Sequence, residues 1–166
     1  SWDISDDGRT YTFNLRDDIK FSNGDKVTAS DFKWSIERAA NPDTGSMNAE
    51  VYLGDIVGVT EVIEAGGSLT EVSGLNVIDD KTLEITIDEP KTYFLAKLTY
   101  PTAFVLSEKY VTEQGENWID QPVGTGPFVM TEYQIGQTLK LKPNDNYWGE
   151  KAKVDGIIMN LAGGVS

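Results

Sequence analysis

Hydrophobic positions in this chain follow two rhythms, one of every second residue and one of every third or fourth, and the changes between them mark out the elements. Tyr11, Phe13 and Leu15 alternate with Thr12, Asn14 and Arg16, the period of a strand with one buried and one solvated face. Asp7-Gly8 before it and Asn23-Gly24 after it are turn dipeptides, because Gly and Asn take positive φ at little cost. The order predicted is turn, strand, turn, short strand and then a capped helix. Thr28 followed three residues later by Asp31 predicts a capping box, and Phe32, Ile36 and Ala39 or Ala40 then recur at helical spacing up to Pro42. The block from Gly8 to Arg38 thus reads as a strand pair feeding an amphipathic helix, with Phe13 buried in the core.

Asn41 to Ser46 is a loop by composition, combining Pro, Gly and short hydrogen-bonding side chains. A short helix is predicted from Val59 to Ala65, ended by Gly66-Gly67. Leu75, Val77 and Ile78 lead into the turn Asp79-Asp80, after which Leu83, Ile85 and Ile87 alternate with Glu84, Thr86 and Asp88, the clearest strand in the chain. Pro90 is placed in the first turn of a short helix that carries Tyr93, Phe94, Ala96, Lys97 and Leu98 and stops at Pro101. Another starts at Ser107 as N-cap and ends at Gly115. Two strands flank the Gly136 turn, one with Phe128, Met130 and Tyr133 and one with Leu139 and Leu141. Val154 to Leu161 reads as a buried strand before Ala162-Gly163-Gly164. Strands and short helices interleave without repeats or heptads, which predicts an α/β (α+β mixed) class: a mixed sheet with short helices.

The 166 residues are enough for one domain with a substantial core. A net charge of −13 repels nucleic acid and anionic membranes, so no nucleic-acid role is expected. With no Cys and no His, the chain lacks thiolate or imidazole metal ligands, Cys nucleophiles and a Ser-His-Asp triad; no cofactor is implied. The acid pairs Asp6-Asp7, Asp17-Asp18 and Asp79-Asp80 fall in turns, where Asp hydrogen-bonds nearby backbone. Asp3, Ser5 and Asp7 echo a calcium loop, but Asn14 stands where such a loop needs Glu. Gly124-Thr125-Gly126-Pro127 looks like a phosphate loop, yet Pro127 removes an N–H that the cradle needs, leaving a tight turn into a strand. Trp2, Trp34, Trp118 and Trp148 are read chiefly as packing residues.

The stretch DDGRTYTFNLRDDIKFSNGDKVTASDFKWSIERAANP resembles the opening signature of family 5 extracellular solute-binding proteins, the oligopeptide- and dipeptide-binding components of ABC importers. IDDKTLEITIDEP, the Tyr93-Phe94 helix, PVGTGPF and NDNYWG continue the resemblance in the family's order over almost the whole chain. It implies a periplasmic-binding-protein type II-like fold. It also implies a fragment of a longer, two-lobed protein: residues 1–105 resemble the small subdomain of the first lobe and residues 106–166 the segment returning to that lobe.

By the same resemblance, the whole protein binds and does not catalyse, capturing a peptide or other small solute outside the cytoplasm, in a periplasm or as a cell-surface lipoprotein. Its partners would be ABC permease subunits and the remainder of its own chain. Relatives take peptides, nickel complexes, haem or oligosaccharides. The loop after the signature helix reaches toward ligand in such relatives, which nominates Ser46, Met47, Asn48 and Tyr52. An aromatic near the position of Asn48 touches peptide in the relatives, and this chain departs by having Asn48 there, with Met47 and Tyr52 available to compensate. Two other classes compete: a carboxylate-dependent hydrolase domain, marked by turnover that is lost with an Asp, and a stand-alone extracellular interaction module.

Overall fold

In a computed structural model that describes residues 1–162, the alternation of Leu83, Ile85 and Ile87 lies along the middle of an antiparallel sheet. Its strands are β1 (Trp2–Ile4), β2 (Thr10–Asn14), β3 (Leu75–Asp79) and β4 (Thr82–Thr86), in the order β1-β2-β4-β3. Tyr11 faces Ile85 and Phe13 faces Leu83 across the β2–β4 ladder, while Leu75 and Val77 face the same two residues from β3. These apolar pairs share one face, as the two-residue period requires. The amphipathic helix α1 (Ala29–Ala40) contributes Ile36 and Ala40 to the core they form. Thr28 and Asp31 make the capping box: Thr28 Oγ1 accepts from the Asp31 N–H, and the Asp31 carboxylate accepts from the Thr28 N–H at 2.9 Å.

After α1, Pro42–Thr44 forms a 3-10 turn, followed by α2 (Ala49–Leu53) and α3 (Val59–Glu64). The short α4 (Phe94–Lys97) and a second 3-10 turn, Pro101–Ala103, complete this unit, which comprises Ser1–Asp17 and Thr28–Leu106. Leu53, Ile56, Val59, Val62, Val72 and Phe94 are fully or almost fully buried in it. Gly74 is required at a crossing of three chain segments, since a Cβ there would meet the Val57 and Thr86 carbonyl oxygens at 2.6 and 2.7 Å.

A second unit takes Asp18–Val27 together with the chain from Ser107 onward. It holds α5 (Glu108–Gln114), capped by Ser107, a 3-10 turn at Gly115–Ile119, and a three-stranded antiparallel sheet of β5 (Phe128–Gln134), β6 (Thr138–Pro143) and β7 (Ile157–Asn160) in that order. Phe21 is fully buried here and Val27 almost so. Ser22 N–H donates to the Gly124 carbonyl at 2.8 Å, and Asn146 Nδ2 donates to the Ser22 carbonyl at 3.1 Å. The excursion between the two turns therefore belongs to this unit and separates β2 from α1, rather than joining them as one strand-pair block.

The α/β class with sheets and short helices is the one observed, but its strands fall in two sheets whose ladders among the described residues are all antiparallel. Phe13 shares the core face of β2 with Tyr11 but is half-buried, because it lies where the core opens into an apolar groove. After the Asn23-Gly24 turn only a single bridge, Lys26 with Lys20, replaces the expected short strand. Pro90 lies ahead of α4 instead of in its first turn. The last strand is confined to Ile157–Asn160 and is exposed, with Ile158 at 74%, because β7 lies at a sheet edge. Gly163-Gly164, expected to follow it, lie outside the described residues. Among the described residues no helix is long and apolar enough to cross a membrane.

One carboxylate is buried in the first unit. Asp55, just past α2, is 8% exposed; its Oδ1 accepts from Lys91 Nζ at 2.9 Å and its Oδ2 faces Lys97 Nζ at 2.6 Å. Lys91 also reaches Asp88 at 2.8 Å. Burial by itself pushes the Asp55 pKa up, but the ammonium groups of Lys97 and Lys91 outweigh it and hold the carboxyl below its ordinary value.

Two outcomes follow for stability. Phe21→Ala is expected to cost about 3–5 kcal/mol as a buried aromatic truncation, measured by urea unfolding, with faster amide exchange at Ser22 and Gly24; unchanged exchange there contradicts its role. Asp55→Asn removes the carboxylate that faces Lys97 and leaves Lys91 with Asp88, and is expected to cost about 3 kcal/mol near neutral pH. Because the folded pKa of Asp55 is depressed, its contribution is complete above the unfolded carboxylate value of about 3.9 and is lost as pH falls through the lower folded value, so the penalty shrinks in acid. A pH-independent difference between the two proteins would contradict this assignment.

Candidate functional site

The loop that follows α1 is built by local hydrogen bonding. The Asn41 side chain accepts from the Asp43 N–H at 2.9 Å, Pro42 opens the 3-10 turn, and Gly45, at φ 68°, donates its N–H back to the Pro42 carbonyl. The chain then leaves the surface turn as Ser46, Met47 and Asn48, all exposed, with Met47 at 93%. Asn48 is the N-cap residue of α2 but makes no side-chain cap bond. Its carbonyl instead accepts from the Tyr52 N–H at 3.1 Å.

Ala49 and Leu53, four residues apart, are the buried face of α2. Tyr52 is half-buried and stacks on Tyr100, with centroids 3.6 Å apart and planes 2° from parallel. Desolvation first, and then the adjacent Tyr100 hydroxyl, keeps the Tyr52 hydroxyl above its ordinary pKa and hence neutral at physiological pH. Of the four residues nominated from the sequence, three form one continuous exposed stretch, and the fourth lies one helical turn on, engaged by a tyrosine from a distant segment. Tyr100 gave no signal of its own in the sequence, where it stands only as an aromatic before the helix-terminating Pro101. Nothing in a one-dimensional pattern pairs it with Tyr52.

A second concave feature of this unit is apolar. Phe13, Leu15, Phe32, Leu83, Leu98 and Ala103 line a groove of about 210 Å³ between the sheet and α1. A wider and more polar hollow of about 590 Å³ lies beside Trp34, Arg38, Asn41 and Thr70, where Lys33 bridges Glu71 at 3.0 Å and Glu37 at 3.7 Å. The Arg38 guanidinium sits 6.0 Å from the Trp34 ring centroid.

The turn acids act on their own backbone. Asp7 Oδ1 accepts from the Ser5 hydroxyl at 2.6 Å and the Arg9 N–H at 3.1 Å, and Asp79 Oδ1 accepts from the Lys81 N–H at 2.8 Å. These bonds lower both carboxyl pKa values, the direction opposite to that of a general acid. In the second unit, Gly126 and Pro127 offer their carbonyls to the Asn144 side chain and main chain at 2.8 and 2.9 Å. An oxygen-lined turn of this kind is the reverse of a phosphate cradle, which presents N–H groups.

Comparison with known proteins gives the context for these features. The dipeptide-binding protein DppE of Bacillus subtilis is 34% identical over 160 residues, which are 94% of this chain and 29% of that protein. The periplasmic oligopeptide-binding protein OppA of Escherichia coli is 34% identical over 158 residues, 93% of this chain and 28% of its own length. Among solved structures, Listeria monocytogenes OppA bound to peptide superposes with a TM-score of 0.89 at 34% identity, over 97% of this chain and 32% of that one. The chain thus spans less than a third of the relatives it matches. The profile of the bacterial extracellular solute-binding proteins, family 5 middle region, matches residues 1–162, and the chain belongs to that family.

Proposed function

We propose that this chain is part of a protein that captures peptides outside the cytoplasm, at the cell surface or in a periplasm, and delivers them to the permease of an ABC importer. The observation that carries this reading is the match over 97% of the chain to a peptide-bound oligopeptide-binding protein. The family and the similar solved structures are binding proteins, so the activity is binding and release without bond making. Hydrolysis by paired acids has no support from Asp7 and Asp79, which accept from nearby backbone N–H groups and are held below the ordinary carboxylate pKa.

Within the complete protein, residues 1–105, apart from Asp18–Val27, act as the small subdomain of the first lobe and residues 106–166 as the segment returning to it. Ser46, Met47, Asn48 and Tyr52 form the part of this chain that meets ligand. The support for this is the exposure of Ser46, Met47 and Asn48 on one short stretch, with Tyr52 one turn on: Met47 offers a flexible, polarisable side chain and Asn48 a donor and an acceptor, a combination suited to peptides of varied sequence. Main-chain hydrogen bonding to the peptide accounts for breadth of recognition, since it reads no side chain.

Titration calorimetry of the full-length protein against di- to pentapeptides, with an oligosaccharide and a nickel chelate as comparisons, is expected to show saturable binding to peptides. Binding only to the comparison ligands, or to none of these, would overturn the reading. Met47→Ala and Asn48→Ala are each expected to weaken peptide binding about 3- to 10-fold, the scale of contacts at the edge of an interface, without lowering thermal stability. Affinities equal to the parent's in both variants would remove the loop from the site.

A further inference from the structure

Two short segments of the first unit cross so that opposite ends meet. Tyr52 stacks on Tyr100 at 3.6 Å, and three residues along each segment Asp55 meets Lys97 at 2.6 Å. We infer that these two contacts form a clamp that positions the exposed Ser46–Asn48 stretch for ligand, with Tyr100 and Lys97 as positioning residues that need not touch the ligand. The inference rests on the proposal that this stretch faces the peptide.

The need for a clamp follows from the helix itself. α2 has only five residues, and a helix so short is not stable on its own, so its geometry is set by what it is tied to. Its N-cap gives no help, because the Asn48 side chain makes no capping bond. Ala49 and Leu53 fix the depth of the helix in the core and Ile56 pins the chain beyond its end, which leaves the end that carries the loop as the part still to be held. Tyr52 and Asp55 lie off that face, and each is engaged from the same neighbouring segment.

That neighbouring segment is well anchored. Phe94, at the start of α4, is fully buried with its ring centroid 4.9 Å from that of Tyr11 on β2. Tyr100 donates its N–H to the Lys97 carbonyl at 3.1 Å, so the two positioning residues share one continuous turn. Pro101 then restricts the backbone just after the ring. The two contacts are also of different kinds: the ring stack works by apolar burial and dispersion, the ion pair by charge in a buried setting. Loss of the stack leaves the far end of the segment held at Asp55 and Ile56, while the end that carries the loop loses its lateral tie. A loop that is ordered before the ligand arrives spares the binding step its ordering cost.

The test uses the full-length protein, with tetra-alanine and tetralysine as the peptides. In Tyr100→Ala without ligand, amide exchange at Tyr52 and Gly54, whose N–H groups bond to the Asn48 and Glu50 carbonyls, is expected to speed up by about 10-fold, the signature of a local opening. The Kd for peptide is expected to rise about 5- to 15-fold, as the ordering cost of a residue or two returns to the binding step. Tyr100→Phe keeps the ring and is expected to restore both readouts to within about 2-fold, while Lys97→Met should reproduce part of the Tyr100→Ala effect. Val77→Ala, truncating a half-buried side chain that packs against the core from β3, controls for general destabilisation and should leave both readouts in place.

Unchanged exchange at Tyr52 and Gly54 in Tyr100→Ala would overturn the clamp, whatever happens to binding. Faster exchange with unchanged Kd in Tyr100→Ala would overturn the positioning role; if Met47→Ala and Asn48→Ala were silent too, the fault would lie in the ligand-facing assignment of the loop. If the parent protein bound neither peptide, the proposed function and the positioning role would both fall, while the exchange data would still decide whether the clamp holds the loop.

Discussion

The first unit depends on the apolar face of β4. As the only strand of its sheet with a long ladder on each side among the described residues, β4 presents Leu83 and Ile85 to Tyr11 and Phe13 on one flank and to Leu75 and Val77 on the other. Ile87, one step past its end, bridges Ile56 and carries the same face toward α2 and α3. Each such side chain contributes roughly 1.5–3 kcal/mol when removed from water, and together they define the surface on which α1 must lie. Ser35 in α1 adds a polar tie, donating to the Asp31 carbonyl at 2.6 Å and accepting from the Leu106 N–H at 2.8 Å. That bond fixes the end of the first unit against its principal helix.

Against this apolar framework, the buried Asp55 carboxylate is an unusual expense, since an ion leaves water only when its partners are well placed. Its partners come from α4 and from Lys91 just before it, so the same carboxylate joins the chain after α2 to the chain around α4. A hydrophobic residue at that position would bury more cheaply but would not specify which two segments meet, or in what register. The Tyr52–Tyr100 stack has the same effect by different physics. In this way a core that explains stability is distinguished from a pair of contacts that explains where an exposed loop is held.

Much of the scaffold was legible before any coordinates. The period-two runs became β2 and β4, the Thr28–Asp31 box became the start of α1, and Ser107 and Gly115 bounded α5 as read. These succeeded because each is settled within a few residues by pleat, cap or turn chemistry. β1 was not legible, because Trp2–Ile4 is too short to show a period, and only pairing with β2 makes it a strand. α2 was missed for a related reason: five residues with weak periodicity form a helix here because Ala49 and Leu53 find a core. β7 was read as longer and buried on its apolar composition, since a run of Val, Ile and Leu looks the same in a central strand as at an edge.

For the candidate site, the sequence by itself determined a polar, turn-rich stretch after α1 and nominated Ser46, Met47, Asn48 and Tyr52 by resemblance. It also pointed to turn roles for the acid pairs, which Asp7 and Asp79 fill by accepting from backbone N–H groups two residues on, whereas Asp17 pairs with Lys81. What only the tertiary structure decided is that Tyr52 faces Tyr100, that Asp55 is buried between Lys91 and Lys97, and that Asp18–Val27 joins the second unit. The physical reason is range. Alternation, capping and turn formation are set by neighbours along the chain, whereas a ring stack or a buried ion pair depends on which distant surfaces the core brings together, and no local pattern records that choice.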